Sequence, residues 1–498
     1  MTCFPQIQLN MNTTYACTAT LFCCLSGLVR GDVSLNNMFG DQMVLQQGIH
    51  NRIWGHADPE EAVTVGFAGQ SHAVTADAAG RWEVQLNPVD EYGGPHVLTV
   101  EGKNKIAFSD VLIGEVWICS GQSNMQWAVN QADDADLEKA AANFPVIRLL
   151  SVPQVGTQET QWNFNGKWQV CSPESVGDFS AVGYFFGRQL YETLGVPIGL
   201  IDNAWGGSAA EAWVRRDKIV AHESLRRIHD RWVTLEADKP DDEKFMKGNQ
   251  RPGNIHAGVL APSIGYGIRG VIWYQGESNA GRAHQYRTLF PTMIESWREE
   301  WQLADNRDFP FYWVQLADYK AEVLEPGESD WAELREAQTM TLDALPNVGQ
   351  AVIIDLGEAK DIHPRNKQGV ARRLARYALT ETYAREGIAC RSPRYASKEQ
   401  DGQKILLSFA DVVGGWRPFD VAEPIGFTIA DSERKFVPAQ AEIQKDGRIA
   451  VWSDAVVEPV AVRYAWADNP VCNLYSAVGL PLTPFRTDDF PGVTVGKE

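Results

Sequence analysis

Basic residues are scarce in this sequence. Over 498 residues, 45 Lys and Arg stand against 64 Asp and Glu, a formal net charge of −19. No basic run relieves that balance, which excludes the electrostatic footprint of a nucleic-acid binder. Cysteine pairs at metal-ligand spacing are also missing. Cys3, Cys17, Cys23 and Cys24 sit at the N-terminus, and Cys119, Cys171, Cys390 and Cys472 are scattered without a CxxC. That excludes a zinc-finger spacing and a dense disulfide scaffold. After the N-terminal stretch no apolar run reaches the roughly 20 residues needed to cross a bilayer. No internal repeat is present.

Aromatic residues, by contrast, are spread along the whole chain, with 17 Trp, 20 Phe and 14 Tyr. Disorder is thereby excluded. The length allows roughly two to four domains, each able to bury a core without staples.

The segment Ala16–Val29 (ACTATLFCCLSGLV) is too short to span a membrane but fits the apolar region of an export signal, with small residues near Gly31. No Lys or Arg precedes it. Initiation at Met11 instead of Met1 would give a leader of ordinary length. The expectation is a signal at 1–31 and a secreted or periplasmic protein. A buried N-terminal segment is the alternative.

Three regions follow. From 32 to 108, Val63–Phe67, Trp82–Leu86 and His96–Val100 read as short strands punctuated by Gly and Pro, the pattern of a small β-sandwich. From 109 to 390, apolar runs alternate with helical patterns: Val111–Cys119, Pro197–Ile201, Val271–Tyr274, Phe311–Leu316 and Val352–Leu356 against Phe179–Leu194, Tyr286–Trp301 and Asn366–Leu379. That alternation predicts an α/β domain with a parallel sheet. From 391 to 498 short strands return and predict a second β-domain. The polar stretch 236–253 reads as a surface excursion.

Four stretches could carry chemistry. Ser120–Met125 follows a buried strand and puts Ser123 where open α/β sheets place their sites. That serine is a nucleophile if a base takes its proton, or otherwise a helix cap. Asn203–Ser208 contains Gly206 and Gly207, whose backbone N–H groups can approach a ligand closely; a plain turn is the alternative. Trp273–Asn279 gathers Gln275, Glu277 and Asn279 at a strand end, where amides can stabilise an oxyanion and a carboxylate can orient a histidine. Polar capping of the strand end is the alternative. In Asp361–Pro364 the proline biases His363 toward an extended conformation. Residues two apart then share a face, so Asp361 can orient the His363 imidazole.

Together GEVWICSGQSNM (Gly114–Met125), NAWGGSAAEAW (Asn203–Trp213), VIWYQGESN (Val271–Asn279) and DIHPRNKQ (Asp361–Gln368) resemble the sialate O-acetylesterase family of SGNH-type hydrolases. MFGDQMVLQQG (Met38–Gly48) and the segment Arg463–Asp488 extend the resemblance to both flanks. It implies a flavodoxin-like three-layer α/β/α core flanked by N-terminal and C-terminal β-domains. It also implies an acetyl esterase without metal or other cofactor, acting on an acetylated carbohydrate. Carried over by position, Ser123 is the nucleophile and His363 the base. The amides of Ser123 and Gly207 or Gly206 form the oxyanion hole, with Gln275 as side-chain donor beside Asn279. One position departs from the pattern. Lys360 stands three residues before the histidine, where many SGNH hydrolases carry the acid. Asp361, Glu277 or a backbone carbonyl can then support His363. An acetylated xylan or other polysaccharide is the alternative substrate, Arg282 or Arg365 could hold a sugar carboxylate, and a non-catalytic carbohydrate-binding protein is the non-enzymatic alternative.

Overall fold

The computed structural model describes residues 32–497. The apolar stretch at 1–31, with Met11 and four of the cysteines, lies outside the described residues. The remaining four cysteines carry free thiols.

One long strand organises the chain. Strand β1 (Lys105–Gly121) has 17 residues; its first six alternate between exposed and half-buried, and from Val111 onward every residue is buried. Its first half pairs antiparallel with Gly93–Glu101 and its middle pairs parallel with Val44–Gln46. Its second half is the centre of a parallel sheet. The continuous apolar run is what a strand covered on both faces requires. The expected seam between residues 108 and 109 therefore falls inside a single strand.

The other strands of the sheet are β2 (Phe144–Ser151), β3 (Gln169–Cys171), β4 (Ile198–Asp202), β5 (Gly270–Tyr274), β6 (Phe311–Val314) and β7 (Val348–Ala351). Their order is β3-β2-β4-β1-β5-β6-β7. All neighbours are parallel except β3, which runs antiparallel to β2. The sheet thus grows to one side of β1 first and then, from β5, to the other. Open α/β sheets hold their ligands at that reversal, outside the carboxyl ends of the strands.

Alternate residues serve opposite faces, as the period of a strand demands. Ile272, Tyr274, Tyr312 and Val314 pack with α2 (Ala181–Leu194) and α5 (Lys367–Tyr377). Val271, Trp273, Phe311 and Trp313 pack with α3 (Ala283–Trp301) and α4 (Asp330–Ala344). Local signals set the helix ends. The Ser180 hydroxyl accepts from the Gly183 amide, and Gly195 closes α2 at φ 70°. The Asn366 side chain caps α5.

Two expectations shift. The apolar run Val352–Leu356 is not a strand; β7 lies just before it, because β6 ends at Val314 and its partner ends opposite, at Ala351. Val352, Ile353 and Ile354 are apolar because they are buried beyond the sheet edge. The polar stretch 236–253 is more than a surface excursion: Asn249 and Gln250 donate to the carbonyls of Gly206 and Gly207.

Residues 32–108 form strands in two sheets around Ile53, Val63, Val65 and Trp82. From Arg394 onward the strands form two four-stranded sheets and a two-stranded one around Leu407, Ile429, Val451 and Val462. The fully buried Arg335 of α4 ties this region to the parallel sheet, donating to Leu316, Ala317, Ala467 and Asp468 carbonyls.

Candidate active site

Strand β1 ends at Gly121, whose φ of +135° and closeness to β5 exclude a side chain. A Cβ there would lie 2.2 Å from the Tyr274 carbonyl oxygen. The chain then turns into a single helical turn, α1 (Ser123–Gln126). Beside it the Gln122 side-chain oxygen accepts from the Gly276 and Ser278 amides, both at 3.3 Å. The ends of β1 and β5 are latched together at the point where the sheet reverses.

The Ser123 hydroxyl donates to His363 Nε2 at 2.9 Å, across 240 positions of sequence. The other ring nitrogen, Nδ1, lies 3.3 Å from Asp361 Oδ1. The same oxygen accepts the His363 backbone N–H at 2.9 Å, so one carboxylate fixes both the loop and the ring. The Asp361 side chain is half exposed, at 50 %. Trp127 stacks on the imidazole, with ring centroids 4.6 Å apart and planes inclined by 15°. Burial holds His363 below the usual histidine pKa; Asp361 opposes that shift and the Lys367 ammonium adds to it. A neutral imidazole at neutral pH is the state a proton acceptor needs.

Glu277 does not reach His363. Its carboxylate accepts from Asn124 Nδ2 at 2.6 Å, and the same amide donates to the Ile362 carbonyl at 3.0 Å. Asn124 Oδ1 in turn accepts from Lys367 Nζ at 2.6 Å. Lys367 is fully buried, its ammonium set over the rings of Trp127 and Tyr274. Burial pulls its pKa down to about 7, against the opposing pull of Glu277. Burial pushes the Glu277 carboxyl up. The sequence offered one signal for Lys367: a cation in the first turn of a helix opposes the helix dipole.

Gln275 and Asn279 correct an expectation. Both are buried and their polar atoms are engaged elsewhere. Gln275 Nε2 donates to the Ser208 carbonyl at 3.2 Å and to Asn279 Oδ1 at 2.7 Å, while its oxygen accepts from Tyr286. Asn279 also receives the Ala210 amide and donates to Glu211. They tie the end of β5 to the segment after Gly207, and neither amide hydrogen of Gln275 is free for an oxyanion. Gly206 lies against Ser123, but its amide donates to Gln126 Oε1 at 2.6 Å. Among the described residues, no acceptor meets the amides of Ser123 and Gly207. Of the two arginines that could bind a sugar carboxylate, Arg282 is committed to Glu211 at 2.8 Å. Arg365 is exposed and donates to the Gln131 carbonyl.

Ser123 and His363 open into a cleft of about 550 Å³, walled by Gln126, Trp127, Gln154 and two acids, Asp178 and Asp202. No Lys or Arg among the described residues lines it. A larger cavity, about 700 Å³, lies by Arg298 and Arg307 and contains none of these groups.

Comparison with known proteins gives the family. Residues 113–237 and 253–380 match the family of carbohydrate esterases described as sialic acid-specific acetylesterases. The chain is 30 % identical to the human sialate O-acetylesterase, over 88 % of this chain and 90 % of that one. It is 31 % identical to the one from Pongo abelii over the same shares. A crystal structure of a carbohydrate acetylesterase from Xanthomonas citri superposes with a TM-score of 0.82 at 39 % identity, covering 92 % of this chain and all of that one. The chain is therefore a carbohydrate esterase. It belongs to the sialic acid-specific acetylesterase family, the one its four motifs resemble.

Proposed function

We propose that this protein removes O-acetyl groups from sugars through an acetyl-enzyme on Ser123. The supporting scaffold is a flavodoxin-like α/β/α core of the SGNH type that begins within β1 and runs to 390, flanked by an N-terminal β-domain that shares β1 and a C-terminal β-domain at 391–498. The observation that carries the reading is the 2.9 Å contact between Ser123 Oγ and His363 Nε2. His363 takes the hydroxyl proton as Oγ attacks the acetyl carbonyl, and Asp361 stabilises the imidazolium through Nδ1–H. The amides of Ser123 and Gly207 receive the oxyanion. The imidazolium then protonates the departing sugar oxygen. Water, activated by the same imidazole, attacks the acetyl-enzyme and releases acetate. Export by residues 1–31 places the reaction outside the cytoplasm.

The primary substrate is an O-acetylated sialic acid, from family membership. A neutral acetylated polysaccharide such as acetylxylan is the second reading, favoured by the two carboxylates of a cleft with no cationic wall. Acetate release from O-acetylated sialic acid and from acetylxylan, followed by mass spectrometry of the Ser123 peptide trapped during turnover, tests both. An acetyl adduct on that peptide is expected. Turnover with the acetyl group on another residue, or no turnover on any sugar acetate, defeats the assignment.

The support for His363 is separable by pH. Asp361 lifts the His363 pKa, so Asp361→Asn moves the acid limb of the kcat/KM profile to lower pH and lowers the plateau by roughly 10²-fold. Glu277→Gln leaves that limb in place. The reverse pattern would make Glu277 the orienting acid.

A further inference from the structure

Asp202 is the last residue of β4, paired in register with Cys119 of β1 and Ser151 of β2. Its carboxylate therefore stands at the carboxyl edge of the sheet, beside the residue that precedes the nucleophile by four positions, and it lines the same cleft as Ser123 and His363. One of its oxygens accepts the Ala204 amide at 3.1 Å. Among the described residues it has no ion-pair partner; besides the Ala204 amide, only the Ser180 backbone N–H acts on its carboxylate as a donor. Burial pushes its pKa up to about 7. A carboxylate sunk in a wall without a cation is costly unless a donor reaches it. The reaction as derived gives Asp202 no part, since the proton moves through His363 and the oxyanion faces backbone amides.

Sugars carry hydroxyl donors next to the acetylated oxygen, and a hydroxyl donating to a carboxylate makes a strong, short bond. We propose that Asp202 is a specificity residue, accepting a hydroxyl of the sugar beside the ester under attack. The proposal rests on the esterase reading above. A polyol hydroxyl of a sialic acid and a ring hydroxyl of a neutral glycan supply the same donor.

Three esters separate the possibilities: an aryl acetate, which has no hydroxyl, an O-acetylated sialic acid and partially acetylated xylo-oligosaccharides. Aryl acetate turnover by the wild type reports on Ser123 and His363 alone, so failure of the esterase reading shows there. Asp202→Ala is expected to raise KM at least tenfold on the sugar ester that the wild type prefers, leaving aryl acetate kinetics within about twofold. Asp202→Asn, which keeps an acceptor oxygen in place, is expected to lose less than Asp202→Ala. Whichever sugar ester shows the selective loss identifies the source of the hydroxyl. Equal losses on all three esters, or unchanged sugar kinetics in both variants, overturn the proposal. Melting curves of both variants accompany the kinetics. If Asp202→Ala fails to fold, the folded Asp202→Asn decides by the same ratio of sugar to aryl acetate.

Discussion

Ser123→Ala is expected to lower kcat for acetate release by roughly 10⁴–10⁶, because the acetyl group then has no protein oxygen to attach to. The loss stops short of the uncatalysed rate. The Ser123 and Gly207 amides and the cleft remain, and binding plus oxyanion stabilisation alone hold a residual 10³–10⁴ over water in comparable hydrolases. KM on a sugar acetate is expected to change little, since the hydroxyl touches the reacting carbon and His363 and nothing else. Stability is unaffected for the same reason: among the described residues, the only side-chain hydrogen bond of Ser123 is the one to His363. Single-turnover kinetics with a thermal melt check both halves. A variant within tenfold of the wild-type kcat would remove Ser123 from the mechanism.

The parallel sheet and the motif-bearing loops were legible in the sequence because buried strands read as unbroken apolar runs, and VLIGEVWIC is one. The outer end of the sheet was not. Val352–Ile354 are as apolar as a strand and equally buried, and periodicity cannot separate a buried strand from a buried loop. The register that ends β7 at Ala351 comes from β6, far away in sequence. The site divides in the same way. Ser123 and His363 stood out as a hydroxyl at a strand end and an imidazole in a constrained loop. The hydrogen bonds of Gln275 were not legible, because an amide at a strand end looks the same whether it faces the cleft or Ser208. Lys367 lies within the last motif, where no local pattern assigns it a partner. Its partner Asn124 lies 243 positions away, and only the packed fold shows an ammonium buried behind the catalytic pair.

That ammonium supports the second large effect. Lys367 and Glu277 meet through Asn124, and Asn124 also holds the Ile362 carbonyl, one residue before His363. Removing one partner of a buried charged pair is strongly destabilising because the other is left without compensation. Lys367→Met is expected to cost about 3 kcal/mol, near the low end for such losses, since Glu277 is already pushed toward its neutral form. Glu277→Gln leaves Lys367 a hydrogen-bond acceptor in Asn124 and should cost less. If the two residues act as a pair, Lys367→Met with Glu277→Gln loses less than the sum of the single changes by about 1–2 kcal/mol. Denaturant melts of the four proteins measure that difference, and strictly additive losses would dissolve the pair. The pH profile gives an independent reading. Lys367 holds the His363 pKa down, so Lys367→Met moves the acid limb of kcat/KM to higher pH, opposite in direction to Asp361→Asn. A purely structural lysine would lower stability and leave that limb where it stands. The upward shift is therefore what marks Lys367 as a residue that keeps the imidazole neutral and ready to accept the serine proton.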